Sequence, residues 1–331
     1  MTWIIVTLGP STITQESLIK LHELGVRILR LNFTHFTPAT AIPVIEMINQ
    51  INSTLTESFQ LMMDIEWPSI RTGDIQKPRA YKKDQTFTIS TVPVELATDI
   101  FCDYDWIIHD VKVGSIIRIE SGLFDVVVLK KWWDSLKVKA LNDFTLTSKR
   151  HINIPGIHIN LPTITEKDKQ DMWFAIEQKF SYIAVSFCRS ADDIKEARMF
   201  LQEYKWPEIK LIAKIENQEW IDNLDEITEA SDMVMVARGD LGTEIPLEDI
   251  PEIQMEIVKT CQLRNTPVII ATQMMSSMVD NPSPTRAEVS DVFLAVREGA
   301  DYVMLSEETT IGHYPIETVE MMKRIVNESQ H

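Results

Sequence analysis

Glycine is scarce in this chain of 331 residues: ten in all, against roughly 7% in an average protein. That scarcity excludes a glycine-rich linker or a low-complexity architecture. Cysteine is nearly as rare, with Cys102, Cys188 and Cys261 isolated and odd in number. Such usage gives neither a disulfide framework nor zinc-ligand spacing, and fits a reducing cytoplasm. Basic residues are outnumbered, 32 Lys and Arg against 49 Asp and Glu, for a net charge of −17. This speaks against nucleic acid and anionic membrane as partners. No apolar run approaches the ~20 residues of a membrane-spanning helix. The N-terminus runs directly into Trp3-Ile4-Ile5-Val6-Thr7-Leu8. It lacks a basic region and a small-residue cleavage site, and reads as a first strand, not a signal.

What is present centres on Lys214 to Asp240. Leu211 to Ile215 and Met233 to Ala237 are short apolar runs that read as buried strands. Side chains alternate between strand faces, so Lys214 and Glu216 point the same way. The second run ends at Arg238-Gly239-Asp240, where glycine lets backbone approach a ligand. Two strands joined by a helix form a parallel βαβ unit, with both charged clusters at the strands' carboxyl ends. Glu216 and Asp240 are hard oxygen donors suited to Mg2+ or Mn2+. Lys214 beside them suits a substrate that carries or develops negative oxygen charge. For Lys214 and Glu216 alone, a buried structural ion pair is an equal alternative.

The rest of the chain supplies the frame. Apolar runs alternate with amphipathic segments: strands at Trp3 to Leu8, Val26 to Leu31, Gln60 to Asp64, Tyr182 to Ser186, Lys210 to Ile215, Met233 to Ala237, Pro267 to Thr272 and Tyr302 to Leu305. From about 71 to 150 the pattern changes to short alternating runs separated by Gly, Asp, Asn and Ser, an all-β segment. Eight strand–helix units interrupted once predict an α/β fold, a (β/α)8 TIM barrel over 1–70 and 151–331 with a β-rich lid inserted at 71–150.

Lys-Ile-Glu-Asn at 214–217 followed by Met-Val-Ala-Arg-Gly-Asp-Leu-Gly at 235–242 resembles pyruvate kinase. The likeness runs in order from Thr7-Leu8-Gly9-Pro10-Ser11 to Tyr314-Pro315. It implies transfer of a phosphoryl group from phosphoenolpyruvate to ADP, giving pyruvate and ATP, in a cytoplasmic homo-oligomer. The family's C-terminal regulatory domain has no counterpart after the last helix, so a dimer is expected over a tetramer. By resemblance, Arg30, Arg71, Lys214, Gly239, Asp240 and Thr272 contact the substrate or its phosphate. Glu216 and Asp240 hold Mg2+, while Asn32, Thr34, Asp64 and Ile65 hold K+. Lys214, Arg30, Thr272 and Ser306 carry the catalysis, the last two through a proton relay. His35, Arg71 and Arg150 face the nucleotide, and the helix opening at Pro284 to Asp291 packs at a subunit interface.

This sequence also departs from the family pattern. At 64–73 it reads Asp-Ile-Glu-Trp-Pro-Ser-Ile-Arg-Thr-Gly, where the family has Asp-Thr-Lys-Gly-Pro-Glu-Ile-Arg-Thr-Gly. Ser69 replaces a glutamate that bears on the K+ site. Phe36, Trp67, Trp220 and Glu307 stand where the family has glycine and are expected to crowd ligand loops. Glu66 and Ile311 each replace a lysine. The nucleotide side is therefore eroded while the metal side is kept. Two alternatives stay open: a variant enzyme acting on a phosphoenolpyruvate or pyruvate enolate, of aldolase or lyase type, and a non-catalytic phosphoenolpyruvate sensor.

Overall fold

The computed structural model describes every residue except 66–69, 93–98, 121, 158–163, 218–220, 222 and 331. In chain order the strands are β1 (Trp3–Thr7), β2 (Ile28–Asn32) and β3 (Gln60–Asp64). The insert follows with β4 (Arg79–Tyr81), β5 (Thr86–Ser90), β6 (Ile100–Phe101), β7 (Ile116–Ile119), β8 (Phe124–Lys131), β9 (Ser135–Ala140), β10 (Phe144–Leu146) and β11 (Ile152–Asn153). Then come β12 (Tyr182–Val185), β13 (Lys210–Ile215), β14 (Met233–Ala237), β15 (Val268–Ala271) and β16 (Tyr302–Leu305). Strands β1–β3 and β12–β16 close a barrel in the order β1-β16-β15-β14-β13-β12-β3-β2. Every pairing around it is parallel. With helices between the strands, this is the expected TIM barrel.

Strand alternation sorts the apolar residues into two cores. Ile5, Ile28, Met62, Tyr182, Ala184, Ile212, Met233, Met235, Ile269, Ala271 and Met304 fill the barrel interior. Their neighbours in sequence, such as Leu29, Met63, Ile183, Leu211, Ala213 and Val234, pack outward against the helices. The helices begin where hydroxyl side chains can satisfy free backbone N–H groups. Thr37, Thr165 and Thr285 each close a capping box. Asn265 ends the helix Ile250–Arg264, and Gly299 the helix that Thr285 opens, in the left-handed conformation, at φ 56° and 113°.

Three helices were not expected, the first being Ile107–Asp110, a single turn within the insert that the sequence reads as all-β. Arg238–Glu244 and Glu307–Thr310 start directly after β14 and β16, where the sequence reads as loops. Both are too short for a periodic apolar face to announce them. The segment from Leu247 forms a 3-10 turn (Leu247–Asp249), and its α-helix starts at Ile250. Pro251 has no N–H to give and belongs in a first turn.

The insert has its own core. Six strands form a sheet in the order β11-β7-β8-β9-β5-β6, with β4 and β10 paired apart. Tyr81, Phe87 and Phe124 are fully buried at its centre, and Phe144 stacks on Phe124 at 5.2 Å. Ile70, Ile152 and Ile154 belong to this cluster and not to the barrel's. The lid meets the barrel through Arg118 Nη1, which donates to Thr243 O (2.6 Å), and Asn153 Nδ2, which donates to Glu244 Oε1 (2.8 Å).

Candidate active site

The alternation that fills the barrel with apolar side chains continues one step further along each strand. Above Ile5 comes Thr7, above Ile28 Arg30, above Met62 Asp64, above Ala184 Ser186, and above Ile212 Lys214 and Glu216. The interior therefore ends in a polar layer at the carboxyl ends of the strands, where this fold places its chemistry. The layer is one connected network. Arg30 donates through Nε and Nη2 to Asp64 Oδ2 (2.8 and 2.6 Å) and through Nη1 to Thr7 Oγ1 (2.9 Å). Lys214 Nζ donates to Ser186 Oγ (2.7 Å) and Asp64 Oδ1 (3.3 Å), and lies 2.9 Å from Glu216 Oε1. Ser186 Oγ donates on to Ile65 O (3.1 Å).

All of these charges are buried. Arg30 and Lys214 are each 8% exposed, Asp64 2% and Glu216 0%. Burial alone would raise the Asp64 carboxyl, but Lys214 and Arg30 outweigh it and hold it below the ordinary range. Burial likewise acts to lower the Lys214 ammonium. The carboxylates of Asp64, Glu216 and Asp240 overcome that and keep it firmly protonated. Glu216 goes the other way. Burial pushes its carboxyl up to about 7 against the pull of Lys214, and the negative charge of Asp240 adds to the rise.

Asp240 sits in the first turn of Arg238–Glu244. Counted with it, the cluster holds two cations (Arg30, Lys214) and three carboxylates (Asp64, Glu216, Asp240), which with all three ionised gives a net charge of one negative. Glu216 Oε2 accepts the Phe187 N–H at 2.5 Å. Its Oε1 is buried and faces the Lys214 ammonium at 2.9 Å. A buried carboxylate at Glu216, a second carboxylate close by at Asp240 and an excess of carboxylates over cations together fit a divalent cation. Mg2+ in particular is bound by one or two carboxylates with substrate oxygens and waters. Among the described residues there is no group of three or more His, Cys, Asp or Glu placed to hold a metal.

The donors named for K+ are less well suited. Asn32 and Asp64 are register partners on β2 and β3, and Ile65 follows directly. Both Asp64 oxygens are already engaged, Oδ2 by Arg30 and Oδ1 by Lys214 and Ser186. Asn32 Oδ1 accepts the Thr34 N–H at 3.0 Å, and the Thr34 side chain is exposed. Ser69, whose identity bears on this site, lies outside the described residues, as do Glu66, Trp67 and Trp220.

On the opposite side of the cluster, Thr272 stands just past β15. It adopts φ 65°, and Gln273 follows at φ 54°. A β-branched residue in the left-handed region is a real outlier, and such strain gathers at functional sites. Its hydroxyl accepts the Gly239 N–H (2.7 Å) and donates to Ala271 O (2.6 Å). A Cβ on Gly239 would sit 3.5 Å from that hydroxyl, an ordinary van der Waals contact. Ser306, after β16, has a buried Oγ with no partner among the described residues. Its N–H donates to Glu308 Oε2 (2.8 Å), whose Oε1 accepts the Met275 N–H (3.0 Å). Glu308 thus ties the ends of β15 and β16 together.

The remaining candidates lie elsewhere. Arg71 is at the root of the lid, its N–H on Asp103 Oδ1 (2.7 Å) and its Nη1 on Lys149 O (3.1 Å). Arg150 is held within the lid by Glu120, at 2.8 to 2.9 Å. His35 is exposed beyond β2. Phe36 packs against Phe33 at 6.5 Å, while Glu307 and Ile311 face solvent. Sequence reading missed Ser186, Thr7 and the buried Arg238. For Ser186 and Thr7 the signal was there, since each falls on the inward phase of its own strand.

A family model described as "Pyruvate kinase, barrel domain" matches residues 1–319. The chain is 41% identical over 333 residues to a pyruvate kinase of Bacillus licheniformis, which covers 99% of this chain and 57% of that protein. It is 40% identical to the chloroplastic pyruvate kinase isozyme G of Nicotiana tabacum, covering 97% and 57%. Against the Borreliella burgdorferi pyruvate kinase the identity is also 40%, covering 98% and 67%. The crystal structure of a pyruvate kinase from Cryptosporidium parvum superposes with a TM-score of 0.96 at 37% identity, over 99% of this chain and 69% of that one. The chain therefore spans about 57% to 67% of the length of these curated relatives.

Proposed function

The chain belongs to the pyruvate kinase family, and from that membership we propose that it transfers the phosphoryl group of phosphoenolpyruvate to ADP. The observation that carries this reading is the buried quartet Arg30, Asp64, Lys214 and Glu216, two cations and two carboxylates joined in one network at the carboxyl end of the barrel. Glu216 and Asp240 are the residues that would hold Mg2+. When bound, it would supply positive charge to the substrate's oxygens. The family generally uses divalent and K+ cations, and the filled valences of Asp64 make K+ the weaker part of this proposal.

Arg30 and Lys214 present fixed, buried cations. They stabilise a phosphoryl group in transfer by position and charge, which is most of what such transfers require. Asp64 orients both cations by accepting from each. On the other side, the Ser306 hydroxyl has no partner among the described residues and can pass a proton from water to the methylene carbon of the enolate, which becomes the methyl group of pyruvate, taking up a proton in its turn. Thr272 is engaged at both Ala271 O and Gly239 N–H and takes part by fixing that wall of the site. The three buried, free thiols suit a reducing compartment, and no helix among the described residues is long and apolar enough to cross a membrane. Self-association belongs to the same reading. The helices Ile250–Arg264 and Arg286–Glu298 leave Met255, Leu263, Phe293 and Leu294 exposed, and sedimentation would give the assembly's size.

The test is pyruvate formation from phosphoenolpyruvate and ADP by the purified protein with Mg2+, with and without K+, beside Lys214→Met. Turnover abolished by that substitution supports the reading; absence of turnover under any cation or nucleotide sinks it. A second reading, an enolate enzyme needing no nucleotide, draws on one observation: Glu120 already occupies the Arg150 guanidinium. Product formation without ADP would favour it.

A further inference from the structure

Arg238 is 8% exposed and makes no contact with the quartet. Its guanidinium instead binds the strained turn after β15. Nε donates to Ala271 O and Thr272 O (both 3.3 Å), and Nη2 donates to Thr272 O (2.8 Å) and Gln273 O (3.4 Å), with Met274 Sδ at 2.9 Å. Nη1 is anchored on Asp291 Oδ1 (2.7 Å) and Gln254 Oε1 (3.4 Å). Gln254 is itself tied to Glu298 Oε2 at 2.7 Å. One planar fork thus holds successive carbonyls of 271–273 and is braced from the helix Arg286–Glu298.

Such a brace has a physical reason. Two left-handed residues in a row, neither of them glycine, cost on the order of 1–3 kcal/mol each and persist only where the surroundings over-determine them. Thr272 is β-branched, the least tolerant kind. Left-handed φ values turn the neighbouring carbonyls toward one side, where a multidentate donor can collect them. Lysine could not do so, because its donors radiate from a single point. The next residue, Gly239, gives its N–H to the Thr272 hydroxyl, and the one after, Asp240, is a carboxylate of the proposed metal site. Backbone and hydroxyl of Thr272 are therefore both fixed from the first turn of one short helix.

We propose that Arg238, braced by Asp291, is a positioning residue: it holds Thr272 in its left-handed conformation against Gly239 and so aligns this wall with the carboxylates at Glu216 and Asp240. The inference rests on the phosphotransferase reading for its kinetic consequence, but not for its structural one.

Two measurements test it. The first is a double-mutant cycle on pyruvate formation and on exchange of the methyl protons of pyruvate in D2O, using Arg238→Lys, Thr272→Ala and the pair. With Thr272 misplaced, kcat and exchange should fall about 10- to 100-fold in Arg238→Lys, with KM for phosphoenolpyruvate within about threefold. The pair should be no slower than Thr272→Ala alone, because both act through one group. Asp291→Asn, which keeps the acceptor, should recover most of the rate. Multiplicative losses in the pair, or an unaffected Arg238→Lys, overturn the proposal. The second measurement needs no activity: hydrogen exchange at the Gly239 and Met275 amides. Both should lose protection in Arg238→Lys and Asp291→Ala while amides of β1 to β3 keep theirs, and unchanged protection overturns the proposal. Should the wild type show no turnover, the kinase reading fails and the exchange data still decide the role of Arg238.

Discussion

Lys214 Nζ and Glu216 Oε1 face each other at 2.9 Å on one side of β13, and Asp64 Oδ1 stands 3.3 Å from the same ammonium. One lysine therefore neutralises two buried carboxylates from different strands. Removing it leaves both without their shared cation. Lys214→Met should cost roughly 3–5 kcal/mol of stability, the range for breaking a buried pair from one side, besides abolishing pyruvate formation. The loss should shrink in acid, where the stranded carboxylates can take up protons. Urea denaturation at pH 5 and pH 8 measures this, and an equal penalty at both would contradict the assignment.

Ser186 is the residue whose role sequence reading passed over. Its hydroxyl accepts from Lys214 at 2.7 Å and donates to Ile65 O at 3.1 Å. Ser186→Ala leaves a buried ammonium one acceptor short, at about 1–3 kcal/mol. The expected result is a lower melting temperature together with a fall in kcat/KM for phosphoenolpyruvate of about tenfold or more. A variant with wild-type kinetics would show that Asp64 and Glu216 suffice to hold Lys214.

The comparison of Ser186 with Lys214 shows what could be read in advance. The barrel was legible because periods of about two and 3.6 alternate along nearly the whole chain. Lys214 and Glu216 drew notice because charge inside an apolar run is conspicuous. Ser186 and Thr7 end equally apolar runs, but a hydroxyl there is unremarkable until the strands are set side by side and their inward phases aligned. Arg238 was harder still. Its carbonyl partners lie 33 to 35 positions away, and the backbone strain they relieve has no signature in residue type, since Thr and Gln carry it instead of glycine. The helices at Arg238–Glu244 and Glu307–Thr310 escaped for want of length.

Metal binding can be separated from catalysis. If Glu216 and Asp240 hold Mg2+, saturating Mg2+ raises the melting temperature, by an amount equivalent to about 2.7 kcal/mol at a hundred times Kd. Chelation reverses the gain. Glu216→Gln and Asp240→Asn should each remove it, while leaving Lys214 paired with Asp64. A Mg2+ response that survives both substitutions would place the ion elsewhere.

The few glycines retained are not equivalent. A Cβ on Gly9 would lie 2.5 Å from Thr310 Cβ and 2.6 Å from Thr310 Cα, backbone that cannot swing aside. Gly114 has φ +93° with nothing within 4 Å. Gly9→Ala is an overpacking change expected to cost about 1–3 kcal/mol or more. Gly114→Ala carries only conformational strain, near 1 kcal/mol. Thr310 closes the short helix that begins after Ser306, so Gly9→Ala should depress activity too. Differential scanning calorimetry with kinetics on both variants checks the order, and a larger loss in Gly114→Ala would reverse it.

Glu244 should make stability fall as pH rises, and the lid contact is where this originates. Burial pushes its carboxyl up, opposed by the hydrogen bond from Asn153 and the charge of Arg118 on the lid, and reinforced by Asp240 on its own helix. Asp125 faces Arg118 in turn, 4.0 Å away. In the unfolded chain Glu244 ionises near the ordinary glutamate value of about 4.3. The folded protein keeps its proton to higher pH. Between the two, the folded state binds more protons than the unfolded, so stability declines through that window and stays lower above it. Glu244→Gln keeps the oxygen that accepts from Asn153 and leaves the Arg118 bond to Thr243 O untouched. It should therefore match the wild type at pH 4 and be the more stable of the two at pH 8. Guanidinium denaturation across that range gives the answer. Parallel curves for the two proteins would mean that Arg118 compensates the buried charge in full.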